Sequence, residues 1–386
     1  MTCPLFLFPY VNYTLNCILV NAPVDMGSVM REEGTVTLSE LGDELAEAAA
    51  GRVQKNLRNL RRALKYASQG LVSPTETKAR IERYLQGQSR PPERQRALIE
   101  GHDDLGKEAL IGTSDLLSVE FLEAGQLAAR AVACIQIAGG AISGTGFLAG
   151  PGLLLTNQHV LETPTMAAAA TAVFGHEEQK FGIPSATSEY ALDPGTFWLA
   201  NREHDFALVA VAPVGDTGVP LTDFGWHPLL DEGKILEGHP VSVIQHPQGR
   251  PKCIALHNSY FLLLGKTDDE DRFCWYTADT ERGSSGAPVF SRDWQVVALH
   301  HKAVPKTNED GEILDRLGKP MPRAEYERYP DRADHVANEG IRASRLRRFI
   351  ASAPLEVSAH AALRDQLVAH WDSPQARSLR ARFPAL

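Results

Sequence analysis

The chain has 386 residues, a formal net charge of −9 at pH 7 and a pI near 5.8, a balance that disfavours a general nucleic-acid or anionic-membrane binder, because neutralising phosphate needs clustered Lys and Arg. With 43% hydrophobic and 23% charged residues it can bury a sizeable core, and neither global disorder nor a fibrous class is indicated. Its five scattered cysteines, Cys3, Cys17, Cys134, Cys253 and Cys274, include no Cys-x-x-Cys pair, so neither a disulfide framework nor a zinc knuckle is signalled. A reducing compartment is the simpler inference, with a Cys253–Cys274 bridge across neighbouring strands left open.

Residues 1–36 form an ambiguous apolar N-terminal segment. Pro4 to Val20 has the apolarity of a signal h-region but no basic stretch before it, and Asn12, Thr14 and Asn16 interrupt it. It is also short and polar for a bilayer span, so no membrane role is expected. The localisation that follows is cytoplasmic, or secreted or periplasmic if this segment is a signal; Met26 and Met30 offer alternative starts.

Residues 37–118 read as a helical module. Thr37 to Glu40 and Ser73 to Glu76 match the Ser/Thr-x-x-Glu capping box, in which side chains satisfy orphan backbone N–H groups at a helix start. Leu38, Leu41, Leu45, Ala48, Val53, Leu57, Leu60, Leu64 and Ala67 keep one apolar stripe on one helical face until Gly70. A second helix, from Pro74 to about Leu85, ends before Pro91-Pro92. Arg52, Lys55, Arg58, Arg61, Arg62 and Lys65 crowd the first helix, either as a docking surface for an acidic partner protein or as a solvated face.

From residue 119 to 353 short apolar runs punctuated by glycine replace the helical stripes. They are Ala131 to Ile137, Gly144 to Leu148, Leu153 to Leu155, Phe206 to Val211, Pro240 to Ile244, Phe261 to Leu264 and Val296 to Leu299, a set that predicts a mainly β sandwich or barrel. The polar stretch Lys302 to Asn338 reads as a long loop. A helix is predicted from Ala343 to Ala351, and a C-terminal helical tail fills 354–386, with an amphipathic piece from Leu355 to Trp371.

Chemistry concentrates in three places. Arg282-Gly283-Ser284-Ser285-Gly286-Ala287-Pro288 has the glycines of a tight turn that exposes a hydroxyl at Ser285. There the N–H groups of Gly283 and Ser285 would form an oxyanion hole, each donor contributing about 3 kcal/mol to barrier reduction; taken alone, the string could be an ordinary turn. His159 ends the apolar run Leu153 to Leu155 in Thr156-Asn157-Gln158-His159-Val160, where it is well placed to be held rigidly as a general base. Asp205 immediately precedes the run Phe206 to Val211, where partial burial suits a carboxylate that orients an imidazole.

These motifs resemble the trypsin/chymotrypsin-like serine peptidases, and within them the bacterial branch of glutamyl endopeptidases and HtrA-type proteases. Gly144-Thr145-Gly146-Phe147, Thr-Asn-x-His-Val, Asp-Phe-Ala-Leu-Val, Gly-x-Ser-Gly-x-Pro and Asn338-Glu339-Gly340-Ile341 carry the resemblance over roughly 119–350, with His159, Asp205 and Ser285 in the order of that family. It implies a chymotrypsin-like double six-stranded β-barrel and a serine endopeptidase acting through an acyl-enzyme, with no cofactor and a protein or peptide as substrate. In the family's specificity pocket Asp279 matches the acid that binds Lys or Arg, whereas Thr280 and His300 match residues that bind an acidic side chain. Ser284 stands where trypsin-type zymogens place the activating aspartate, and too few residues follow Ile350 for a PDZ domain. His246-Pro247-Gln248-Gly249 reads as a turn without metal-ligand company, so no metal is expected; His204, His301 and His335 read as surface or supporting residues. The competing functions are a barrel that binds peptides without turnover and an esterase using the same three residues.

Overall fold

The structure, a computed structural model, describes parts of 48–86 and residues 117–384 apart from 141, 232–234, 266–270 and 309. The apolar segment 4–20, the Thr37–Glu40 box, Ser73 and the Pro91-Pro92 break lie outside the described residues.

Helix α1 (58–67) turns Leu60, Ala63 and Ala67 inward, positions three or four apart that share one face. Helix α2 (Lys78–Gln86) is anchored through Arg80, whose Nη2 donates to Ile235 O at 3.1 Å. Glu76 pairs with Arg80 and accepts from the Glu237 N–H at 2.7 Å, so this predicted capping residue is tied to the later part of the chain. Helix α3 (Glu120–Arg130) leads into the first strand.

Thirteen strands follow. The first six, β1 (Val132–Ile137), β2 (Ile142–Gly150), β3 (Leu153–Thr156), β4 (Ala170–Phe174), β5 (Ser188–Asn201) and β6 (Phe206–Val211), close into an antiparallel barrel in the order β1-β2-β3-β6-β5-β4. The remaining seven are β7 (Ser242–Gln245), β8 (Cys253–Ala255), β9 (Phe261–Leu264), β10 (Phe273–Tyr276), β11 (Pro288–Phe290), β12 (Val296–Pro305) and β13 (His335–Arg342). They form one sheet in the order β8-β7-β11-β12-β13-β10-β9. A bridge between Pro240, just before β7, and Tyr260, just before β9, joins the β7 side of this sheet to the strand at its far end. Six strands therefore curl into a second barrel, to which β8 adds a seventh strand beyond the expected six.

The continuous apolar runs of the second barrel follow from burial on both faces. Successive residues of a strand point to opposite sides: in β10, Cys274 and Tyr276 enter the barrel's own core, while Phe273 and Trp275 join the larger core shared with the first barrel. Burying a side chain of this size stabilises the fold by about 1.5–3 kcal/mol.

Lys302 to Asn338 is not the loop its polarity suggests. Strand β12 extends to Pro305 and β13 begins at His335. Between them bridges such as Thr307–Ile313 and Leu314–Pro320, a short helix (Arg323–Arg328) and a small cluster of Met321, Tyr326 and Ala333 order the chain. Cys253 and Cys274 are free thiols on β8 and β10, strands far apart in the sheet order, so no bridge joins them.

Helices α4 (Ala343–Ser352) and α5 (Ser358–Asp372) match the two predicted C-terminal helices to within a few residues. Trp371 of α5 is buried and its indole N–H donates to Ala149 O at 2.7 Å, which seats the tail on the first barrel. Among the described residues no helix is long and apolar enough to cross a membrane.

Candidate active site

Strand register brings His159 and Asp205 together. β3 and β6 are antiparallel neighbours with Thr156 opposite Ala207. The residues just past the end of β3 therefore meet those just before β6. His159 Nδ1 lies 2.8 Å from Asp205 Oδ2, and the His159 backbone N–H donates to Asp205 Oδ1 at 3.0 Å. Asn157 Nδ2 donates to Asp205 O at 2.9 Å. Asp205 adopts φ 38°, a left-handed conformation that aspartate tolerates better than most residues and that costs about 1 kcal/mol or more.

Asp205 is 1% exposed, and a third group reaches it: His301 Nδ1 stands 2.6 Å from Oδ2. An ionised carboxylate only accepts, so both imidazoles present an N–H there. Burial opposes ionisation of Asp205, but the charge on His159 and hydrogen bonds from His159 and His301 prevail and hold its carboxyl well below the usual carboxylate range. The donor atoms of the three side chains lie within 4.8 Å of one another. Both Nδ1 atoms are engaged with the same carboxylate oxygen, a hydrogen-bonded cluster that accounts for the grouping.

Ser285 sits in the turn between β10 and β11, opposite the β2 end of the first barrel. Its carbonyl accepts from the Thr145 N–H at 2.9 Å, while Thr145 Oγ1 donates to Gly283 O at 2.7 Å. The turn needs its glycines: Gly283 and Gly286 have φ of 88° and 85°, and a Cβ on Gly286 would stand 2.0 Å from Thr145 O. Ser284 Oγ accepts from the Glu281 N–H at 3.1 Å, an internal brace where the family's zymogens carry aspartate. Among the described residues no acceptor takes the N–H of Gly283 or Ser285, although their neighbours Ser284 and Gly286 both donate to backbone carbonyls.

Ser285 and His159 line one cleft of about 590 Å³, together with Asp279, Thr280, His300 and Asn338. No hydrogen bond joins Ser285 Oγ to the His159 ring. Such contacts commonly tighten only when substrate is bound. The segment read from sequence as a loop supplies Arg316, Tyr326 and Pro330 to the lining.

Of the three pocket residues, Asp279 is exposed and its side chain has no partner among the described residues; Gln245 Nε2 donates to its carbonyl. Thr280 Oγ1 donates to Asn338 Oδ1 at 2.8 Å. His300 is 3% exposed and its Nδ1 is 2.6 Å from Tyr276 Oη. Burial and the neighbouring His301 and His159 push the His300 pKa down to about 3, so it is neutral at pH 7. Burial also raises the Tyr276 hydroxyl well above its ordinary value, so Tyr276 keeps its proton beside His300 Nδ1.

His246-Pro247-Gln248-Gly249 forms the expected turn and braces the Ser285 turn. The Gln248 N–H donates to Arg282 O at 2.5 Å, and Gln248 Nε2 and Arg250 both reach Glu281. His204 stacks near Phe349 with ring centroids 4.3 Å apart, and His335 borders the cleft. His301 proved more than a generic supporting residue. On β12 it follows His300 at an irregularity of the strand; both histidines border the cleft, and His301 Nδ1 also reaches Asp205.

Residues 144–299 match the family model of the trypsin-like peptidase domain. Over these residues the chain is similar to the trypsin-like peptidases. The two-barrel architecture and the meeting of β3, β6 and the Ser285 turn at one cleft agree with that similarity. Among curated proteins, the uncharacterized protein y4fB of Sinorhizobium fredii is 38% identical over 254 residues, 62% of this chain and 38% of its own. The secreted RxLR effector protein 73 of Plasmopara viticola is 32% identical, covering 41% of this chain and 40% of its own. The chain thus spans about two fifths of the length of the curated relatives it matches. Among solved structures, the inactive form of the Rv3671c protease of M. tuberculosis has 17% identity and a TM-score of 0.37, covering 60% of this chain and 93% of its own.

Proposed function

We propose that the protein is a serine endopeptidase in which Ser285 attacks the peptide carbonyl, His159 takes and returns the proton, and Asp205 orients His159. The observation that carries this reading is the pair of unclaimed N–H groups at Gly283 and Ser285 beside the hydroxyl, in a cleft that also holds an imidazole fixed by a buried carboxylate. Two inward-facing amides stabilise the oxyanion of a tetrahedral intermediate. Asp205 stabilises the imidazolium that forms, without itself taking the proton. The acyl-enzyme on Ser285 Oγ is then hydrolysed by water that His159 deprotonates.

In the pocket, the unpartnered Asp279 carboxylate favours a Lys or Arg side chain before the cut bond. A bond donated by Tyr276 to His300 Nδ1 would leave an Nε2–H on His300, which supports a second preference, for a side chain ending in an acceptor. Cleavage of a diverse peptide library by the purified protein tests both: cuts after Lys or Arg support the first, cuts after Glu or Asp the second, and dominant cuts after large apolar residues defeat both. Ester hydrolysis with no peptide turnover would assign the same three residues to an esterase. Loss of peptide hydrolysis in Ser285→Ala is expected, and wild-type hydrolysis by that variant would overturn the assignment.

A further inference from the structure

Behind the acid of the proposed triad, a row of buried charged and polar groups leads from the cleft to the N-terminal helical module. His301 Nδ1 faces Asp205, and its other nitrogen, Nε2, is buried with no hydrogen-bond partner 3.6 Å from Glu339 Oε1. Glu339, 0% exposed, lies in the middle of β13 between β10 and β12. Its partner comes from 287 positions away: Arg52 Nε donates to Glu339 Oε2 at 2.9 Å while Arg52 Nη2 donates to Oε1. The Arg52 guanidinium also lies over the Phe273 ring, 3.7 Å from its centroid. The other basic residues of this stretch, Lys55, Arg58, Arg61, Arg62 and Lys65, are exposed. Arg52 therefore does not belong with them in a solvated face or a docking patch.

A buried glutamate without a cation is strongly disfavoured, and a planar guanidinium held in two hydrogen bonds fixes a carboxylate in both position and plane. Taking His159, Asp205 and Ser285 as the triad, we propose that Arg52 and Glu339 are positioning residues for it. The helical module places Arg52 on Glu339, Glu339 sets the His301 ring, and His301 holds Asp205 in the orientation that serves His159. The module is thus a structural part of the catalytic centre as well as a neighbour of the second barrel.

Opposite charge changes at the two ends of the Arg52–Glu339 pair give a readout that loss of packing would not. The charged or titratable groups around His159 are Asp205, His300, His301 and Glu162, with Arg202 beside Glu162. None of them is altered by these substitutions. Arg52→Gln leaves an uncompensated anion behind Asp205 that favours the protonated imidazole, moving the acid limb of the pH–rate profile up by about one pH unit at an effective dielectric near 20. Glu339→Gln leaves the cation and moves the limb down by a similar amount. The double variant returns the limb to its wild-type position.

Turnover falls about tenfold in each single variant with KM nearly unchanged, a size typical of residues coupled through packed networks, and Arg52→Lys recovers part of it. The experiment is a pH profile of turnover and fluorophosphonate labelling in the full chain. A parallel NMR titration of His159 in a Ser285→Ala background needs no turnover. Limbs that do not move in either single variant, with no movement of the His159 titration, overturn the proposal. If wild-type protein neither turns over nor labels, the peptidase reading falls, and the NMR titration still decides the coupling. If the single variants do not fold, the charge-neutral double variant decides: a wild-type limb with reduced kcat supports the positioning role, and wild-type kcat overturns it.

Discussion

Lowering the pH from 7 to 5 should destabilise the fold through three buried histidines. His227 is fully buried with Nε2 2.8 Å from Ala128 O and beside Arg382; His246 is packed against His176 and near Lys252; His300 lies under Tyr276. Burial is the leading cause in each case, and it pushes all three from the ordinary 6.5 down to about 3. Because the folded-state pKa is the lower one, the unfolded chain takes up these protons first. Stability is therefore lost as pH falls below about 6.5, and the loss from these groups is complete near 3. At pH 5 each histidine is 1.5 pH units below its unfolded value, and at 1.36 kcal/mol per unit each contributes a loss of about 2 kcal/mol. The folded value near 3 hardly enters at this pH, and the three together remove about 6 kcal/mol, comparable with the 5–15 kcal/mol of a typical domain. Urea unfolding at pH 7 and pH 5 measures the loss, and His227→Gln should reduce the difference by about 2 kcal/mol. Equal unfolding free energies at the two pH values, or a His227→Gln variant with the wild-type difference, would refute the reasoning.

Other expected outcomes are narrower. Asp205→Asn should lower kcat by roughly ten-thousand-fold with little change in KM, because an amide has no charge to stabilise the imidazolium and turns an NH2 donor on either the His159 backbone N–H or the two imidazole N–H groups; steady-state kinetics checks this. Gly286→Ala should destabilise the protein by roughly 2–5 kcal/mol in thermal or urea unfolding, since its Cβ collides with Thr145 O and Thr156 Oγ1 and its φ of 85° strains any L side chain.

The sequence was most legible where a strand is buried on both faces and short enough to read as one apolar run. Phe206–Val211 and Phe261–Leu264 were read residue for residue for that reason. β5 was missed because its faces differ: Ser188, Tyr190 and Leu192 are buried while Glu189, Ala191 and Asp193 are exposed, and Asp193-Pro194-Gly195 looks like a turn where the strand only bulges. The three motif residues His159, Asp205 and Ser285 stand out in the sequence because local chain geometry, a strand end or a glycine turn, marks each. His301 carried no such local signal, since β12 is irregular between His300 and Lys302 and strand alternation does not place it. Glu339 stood in the Asn338–Ile341 motif and Arg52 in the basic run of the first helix, but their pairing carried no signal, since nothing in local spacing links positions 287 apart.

Mass spectrometry of the intact, folded protein after exposure to a fluorophosphonate tests the central assignment most directly. A single adduct on Ser285, formed by the wild type and abolished in His159→Ala, is the predicted result. Folded wild-type protein that stays unmodified, or an adduct that persists undiminished in Ser285→Ala, would contradict it.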